Sequence, residues 1–191
     1  MIYLIAGLVL FTGIHSLRLF APGIRQSLMT ALGRPLWFSI HGLVSVLSII
    51  LIAKGYADAR FSPVWLWYPP LWLNHVTLLL MLFSFVLLVG GLIPHTHVRR
   101  YLRAPVAMAI ILWALAHLLS NPTLADILLF GSLLTWALLL QRDAVHGADQ
   151  RPATACPFRT LLATVVALGA YVLVLLWLHP LLIGVSPLSG M

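Results

Sequence analysis

Six apolar stretches constrain this chain to a membrane, since each approaches the ~20 residues that one bilayer span needs. They run Ile2 to Leu19, Leu36 to Ala53, Leu71 to Ile93, Pro105 to Leu119, Thr123 to Leu140 and Leu161 to Leu182. Of the 191 residues 62% are apolar and 8% charged, and the mean hydropathy is +1.05. A soluble globular chain of this length does not have that balance. Backbone polar groups must pair internally in lipid, and the stretches are too uniformly apolar for the alternation of a barrel. The expected fold is all-α, a polytopic transmembrane helix bundle of about six spans. We read residues 1–191 as a single transmembrane domain, with a polar loop at 141–160 before a last span at 161–182.

The formal charge of +7 does not mark a nucleic-acid protein, because the basic residues sit in connectors rather than on one solvated face. The first connector holds Arg18, Arg25 and Arg34, the third Arg99, Arg100 and Arg103, and the fifth Arg142, Arg151 and Arg159. The second holds only Lys54 and Arg60, and the fourth none. By the positive-inside rule the odd connectors are cytoplasmic and both termini periplasmic. No basic residue precedes the first apolar run, and Arg18 follows it, so we read that run as a membrane helix rather than a signal peptide. The single cysteine, Cys156, excludes an intramolecular disulfide and covalent haem attachment.

Breakers punctuate the spans at Ala21-Pro22-Gly23, Tyr68-Pro69-Pro70, Ile93-Pro94, Asn121-Pro122 and His179-Pro180. Trp65, Trp67, Tyr68 and Trp72 read as an interfacial aromatic belt. Asn121 reads as a helix cap with Pro122 at the first helical position, and Asp126 as a carboxylate near that helix N-terminus, stabilised by the dipole.

There are four aspartates and no glutamate, so carboxylate-rich metal cages have little support. Histidine remains. His15, His41, His75 and His117 fall inside or at the edge of spans one to four, where ionisable groups are functional candidates. The ordinary alternative for each is an interhelical hydrogen bond. His95 and His97 read as a solvated interfacial loop, and His146 and His179 as loop and span-end residues. His15 and His117 make the best pair, because helical side chains lean toward their own N-terminus and the two spans run in opposite directions. Counted from the cytoplasmic edge they lie about six and about twelve residues deep, roughly 9 Å apart at ~1.5 Å per residue. His41 leans to the cytoplasm and His75 outward, so neither approaches the midplane as naturally. Two imidazoles in an apolar, carboxylate-poor bundle suit haem b, held non-covalently. Arg18, one turn beyond His15, is placed for a haem propionate or for plain snorkelling.

His15-Ser16-Leu17-Arg18, Gly55-Tyr56, Pro69-Pro70-Leu71-Trp72, Leu124-Ala125-Asp126-Ile127-Leu128-Leu129-Phe130, and above all Trp113-Ala114-Leu115-Ala116-His117-Leu118-Leu119-Ser120-Asn121 resemble the NnrU family over about residues 1–140. That resemblance implies a bacterial inner-membrane protein linked by name and genetic context to nitrite and nitric oxide reduction. The family is in turn similar to zeta-carotene isomerase, a membrane enzyme with a haem b held by histidines, and this implies His15 and His117 as iron ligands. Where the isomerases tend to read Arg-His-Pro, this chain reads Arg103-Ala104-Pro105. Haem binding survives that departure better than isomerisation does. Three readings follow: a b-type haem protein in redox chemistry, nitric oxide handling or reductase maturation, with a redox partner; a haem-dependent cis-trans isomerase of a lipid-soluble polyene; and a cofactor-free membrane scaffold for a reductase.

Overall fold

The computed structural model describes residues 1–149 and 151–189. Its helices are α1 (Ile2–Phe20), α2 (Pro22–Leu32), α3 (Arg34–Arg60), α4 (Trp72–Leu92), α5 (His97–Tyr101), α6 (Pro105–Ser120), α7 (Leu124–His146) and α8 (Pro157–Ile183). Wide π turns interrupt α7 at Ile127–Gly131 and α8 at Val174–Leu178. Among the described residues there is no strand, only a bridge between Trp65 and Thr123. Helices α1, α3, α4, α7 and α8 are long and apolar enough to cross a membrane. At 16 residues α6 is the shorter sixth apolar helix, so the chain is a multi-pass bundle of about six spans.

Packing groups the chain into two units. Unit 1 contains residues 1–67 and 123–136, and unit 2 contains 68–122 and 137–191. In unit 1, α1 packs antiparallel on α3 where glycine lets the backbones meet. A Cβ on Gly7 would lie 2.7 Å from the Ile52 nitrogen and 2.8 Å from the Ser48 carbonyl oxygen, and one on Gly55 would overlap the Leu4 backbone. In unit 2, α4 packs on α6 along the side that carries the buried Ala109 and Ala116. Ser84 donates to the Ala109 carbonyl at 2.8 Å and Thr77 to that of Ala116 at 2.9 Å. Small residues and hydroxyl-to-carbonyl bonds are the means by which helices associate without a hydrophobic drive.

Two local expectations are corrected. The cap of α7 is Thr123, not Asn121, which ends α6 instead, so Pro122 stands outside both helices. Thr123 and Asp126 form a capping box, with Asp126 Oδ2 2.9 Å from the Thr123 nitrogen and 2.6 Å from its hydroxyl. Tyr56 donates to Oδ1 at 2.6 Å. Three donors thus satisfy a carboxylate that is only 3% exposed, and hydrogen bonding adds to the expected dipole effect. The first connector is itself helical (α2), and His97 lies in α5, tied through Nδ1 to the Thr160 hydroxyl at 2.7 Å, rather than in a solvated loop.

The polar loop after α7 is held by arginine. Arg103 donates to the carbonyls of Ala144, Val145 and Gly147, acceptors that the end of a helix leaves open. Hydrogen bonds from Arg151, with the nearby charge of Arg103, hold the Asp149 carboxyl well below the usual carboxylate range.

Candidate functional site

Unit 1 gathers two of the intramembrane histidines. Phe11 and His15 stand one turn apart on α1, and their rings stack with centroids 4.2 Å apart. His15 Nδ1 lies 2.8 Å from the Phe11 carbonyl oxygen. A carbonyl only accepts, so Nδ1 carries the hydrogen and the lone pair of the neutral ring is on Nε2. From α3, His41 meets His15 edge-on, with centroids 4.8 Å apart at 70°. Trp37, one turn before His41, is 3% exposed. From α7, the Trp136 ring stands 5.9 Å from that of His15. Its indole N–H is buried and has no acceptor among the described residues. Buried donors are nearly always satisfied, so this one marks a place for an acceptor from outside the chain. Arg18 is exposed in the last turn of α1.

The approach of His41 was not foreseen, and glycine packing accounts for it. Gly7 on α1 faces residues Ser48 and Ile52 on α3. In an antiparallel pair eight residues forward on one helix match eight back on the other, which takes Gly7 to His15 and 48–52 to 40–44. His41 falls in that window.

In unit 2, His117 repeats the arrangement of His15. Its Nδ1 lies 2.8 Å from the Trp113 carbonyl oxygen, with the Trp113 ring 5.1 Å away between centroids. A cavity of about 60 Å³ is lined by His117, Thr77, Met81, Phe85, Tyr171 and His179, with Val174 and Leu175 from the π turn of α8. The polar groups on its wall turn to the backbone. Tyr171 donates to the Leu78 carbonyl, Thr77 to that of Ala116, and His179 Nδ1 to that of Val185. His179 is a residue that sequence reasoning set aside, because only the folding of α8 onto α4 brings it beside His117. His75, His95 and His146 are exposed. The two ligand candidates belong to different units, His15 to unit 1 and His117 to unit 2.

No group of three or more His, Cys, Asp or Glu side chains that could hold a metal ion occurs among the described residues. A bare transition-metal ion generally takes three or four ligands from protein. Haem iron takes one or two, because the macrocycle supplies the rest. The donor chemistry therefore fits haem: imidazoles with the lone pair on Nε2, an indole N–H lacking an acceptor, and the positive charge of Arg18. The cavity beside His117, about 60 Å³, is not by itself a haem pocket, since sites that enclose organic ligands run ~300–1,000 Å³.

The family model described as NnrU protein matches residues 3–187. The chain therefore belongs to the NnrU family, and the match reaches past the residues that carried the resemblance into the last span. No curated protein and no solved structure matches it.

Proposed function

We propose that this member of the NnrU family is an integral membrane b-type haem protein associated with nitrite and nitric oxide reduction, acting in redox chemistry, nitric oxide handling or reductase maturation. His15 and His117 are its iron ligands and Arg18 its propionate partner. The observation that carries the reading is the hydrogen bond that both histidines make within apolar spans, from Nδ1 to the carbonyl four residues back; exposed His146 makes the same bond to the Arg142 carbonyl, but beyond its apolar stretch. That bond fixes the tautomer, orients the ring and raises the basicity of Nε2, as partners of ligating histidines do. When bound, haem iron supplies one-electron transfer or, with an open axial position, a site for a diatomic ligand.

The chain's own part is to hold and shield. Phe11 and Trp136 lie against the His15 ring and Trp37 against that of His41, apolar surface that limits water at the imidazole edges. Trp136 offers a hydrogen bond to an acceptor on the bound group. Arg18 supplies a guanidinium, whose planar fork matches a carboxylate.

Absorbance of the purified protein tests this. Partners of ligating residues alone are worth ~10–100-fold in metal affinity, so His15→Ala or His117→Ala should lower haem affinity by roughly tenfold or more. His95→Ala and His146→Ala should leave both the Soret band and its position unchanged. Identical spectra in all four variants would reject the ligand pair. A wild-type protein with no Soret band after haem supplementation would reject haem binding and leave the scaffold reading.

A further inference from the structure

Arginine side chains differ in what they touch. In unit 2, Arg103 and Arg151 bind backbone carbonyls and Asp149, and Arg159 reaches the Pro94 carbonyl. In unit 2 the side chains of Arg99 and Arg142 make no hydrogen bond or ion pair with another described residue, and in unit 1 neither do those of Arg18, Arg25 and Arg34. No acidic residue precedes Asp58, so nothing nearby in the sequence neutralises them.

Between Arg18 and Arg34 runs α2, bounded by Pro22 in its first turn and by Gly33 at φ +74°. Its 11 residues span about 16 Å at ~1.5 Å per residue, too short to cross a ~30 Å hydrocarbon core. Ile24, Leu28, Ala31 and Leu32 recur at helical spacing on one face, with Ser27 at its edge, and Gln26 and Thr30 oppose them beside Met29. No residue of α2 is buried by protein, and Ile24 is 60% exposed. An uncovered apolar face opposite a polar one, in a chain that lives in lipid, places a helix in the plane of the interface.

We propose that α2 lies in the headgroup layer and that Arg25, in its first turn, and Arg34, just past its end, each bind the phosphate of an anionic phospholipid. Guanidinium pairs with phosphate bidentately, and the charge of the pair favours a net-negative headgroup over a zwitterionic one. The inference needs neither haem nor His15.

Native mass spectrometry of the full-length protein with dioleoylphosphatidylglycerol and dioleoylphosphatidylcholine in equal amounts tests it. Wild type should retain the glycerol lipid preferentially. At ~1 kcal/mol per basic residue near an anionic surface, Arg25→Gln/Arg34→Gln should weaken that preference by roughly 30-fold. Arg25→Lys/Arg34→Lys should keep most of it, and Arg99→Gln/Arg100→Gln, which removes the same charge from unit 2, should leave it unchanged. Equal retention of the two lipids by wild type overturns the proposal, however the variants fold. So does an equal loss in the unit 2 control. Haem content read from the same samples should not change with Arg25 and Arg34, which separates this result from any failure of the haem reading.

Discussion

Ala104 shows how a single residue can be set by backbone rather than by chemistry. It caps α6 at φ 46° and ψ 55°, in the left-handed region that costs an L-residue roughly 1–2 kcal/mol. Histidine and asparagine enter that region more readily than most residues, and alanine does so less readily. Ala104→Gly should therefore raise stability by about 1 kcal/mol after glycine's own entropy cost, or a few degrees in the thermal transition, while Ala104→Val lowers it. Thermal melts in one detergent at one scan rate would check both signs. At this scale the sequence was informative where a polar side chain interrupts an apolar run. His15 and His117 stood out for that reason, and so did Asp126. His179, Trp136 and the neighbour relation of His41 to His15 were illegible, because each depends on which helix faces which, and composition carries no record of that.

Helices themselves were readable, since length and apolarity decide a span before any tertiary contact forms. Their register was not, and glycine sets it. Gly55 and Gly42 both lie in α3, yet a Cβ on Gly55 would run into the Leu4 backbone of α1, whereas one on Gly42 meets nothing within 4 Å. Opposite outcomes follow from the same substitution. Gly42→Ala should stabilise by ~0.5–1 kcal/mol, the helix-interior cost of glycine. Gly55→Ala should destabilise at the upper end of the ~1–3 kcal/mol typical of overpacking, because backbone rather than a flexible side chain would have to move. Thermal melts of the two variants, run side by side, provide the measurement, and a common sign would show that the α1–α3 contact is not close. Pushing α1 from α3 also displaces His15, the proposed ligand on α1, so reduced haem content should accompany Gly55→Ala and not Gly42→Ala. The π turns within α7 and α8 were equally invisible in the sequence, as Ile127–Gly131 and Val174–Leu178 contain no breaker other than the glycine that ends the first.

Across the whole molecule, charge rather than packing determines which side of the membrane each loop faces. Nine arginines occupy the first, third and fifth connectors, against Lys54 and Arg60 in the second and none in the fourth. Short loops rich in Lys and Arg resist translocation, so all three odd connectors should face the cytoplasm. Lys54 and Arg60 do not overturn that bias, because each odd connector carries three basic residues against their two. Cys156, the only thiol, lies in the fifth connector immediately before α8. It should resist a membrane-impermeant maleimide in intact cells and react after permeabilisation. Cys156 is only partly exposed, and its backbone N–H donates to the His95 carbonyl at 2.7 Å, so low reactivity alone would be ambiguous. A Cys156→Ser/Ala148→Cys variant moves the thiol to an exposed position on the same connector and removes that ambiguity. Labelling of this variant in intact cells would overturn the orientation. Protection until permeabilisation would place the arginine-rich connectors, and α2 with Arg25 and Arg34, against the leaflet whose surface potential is negative.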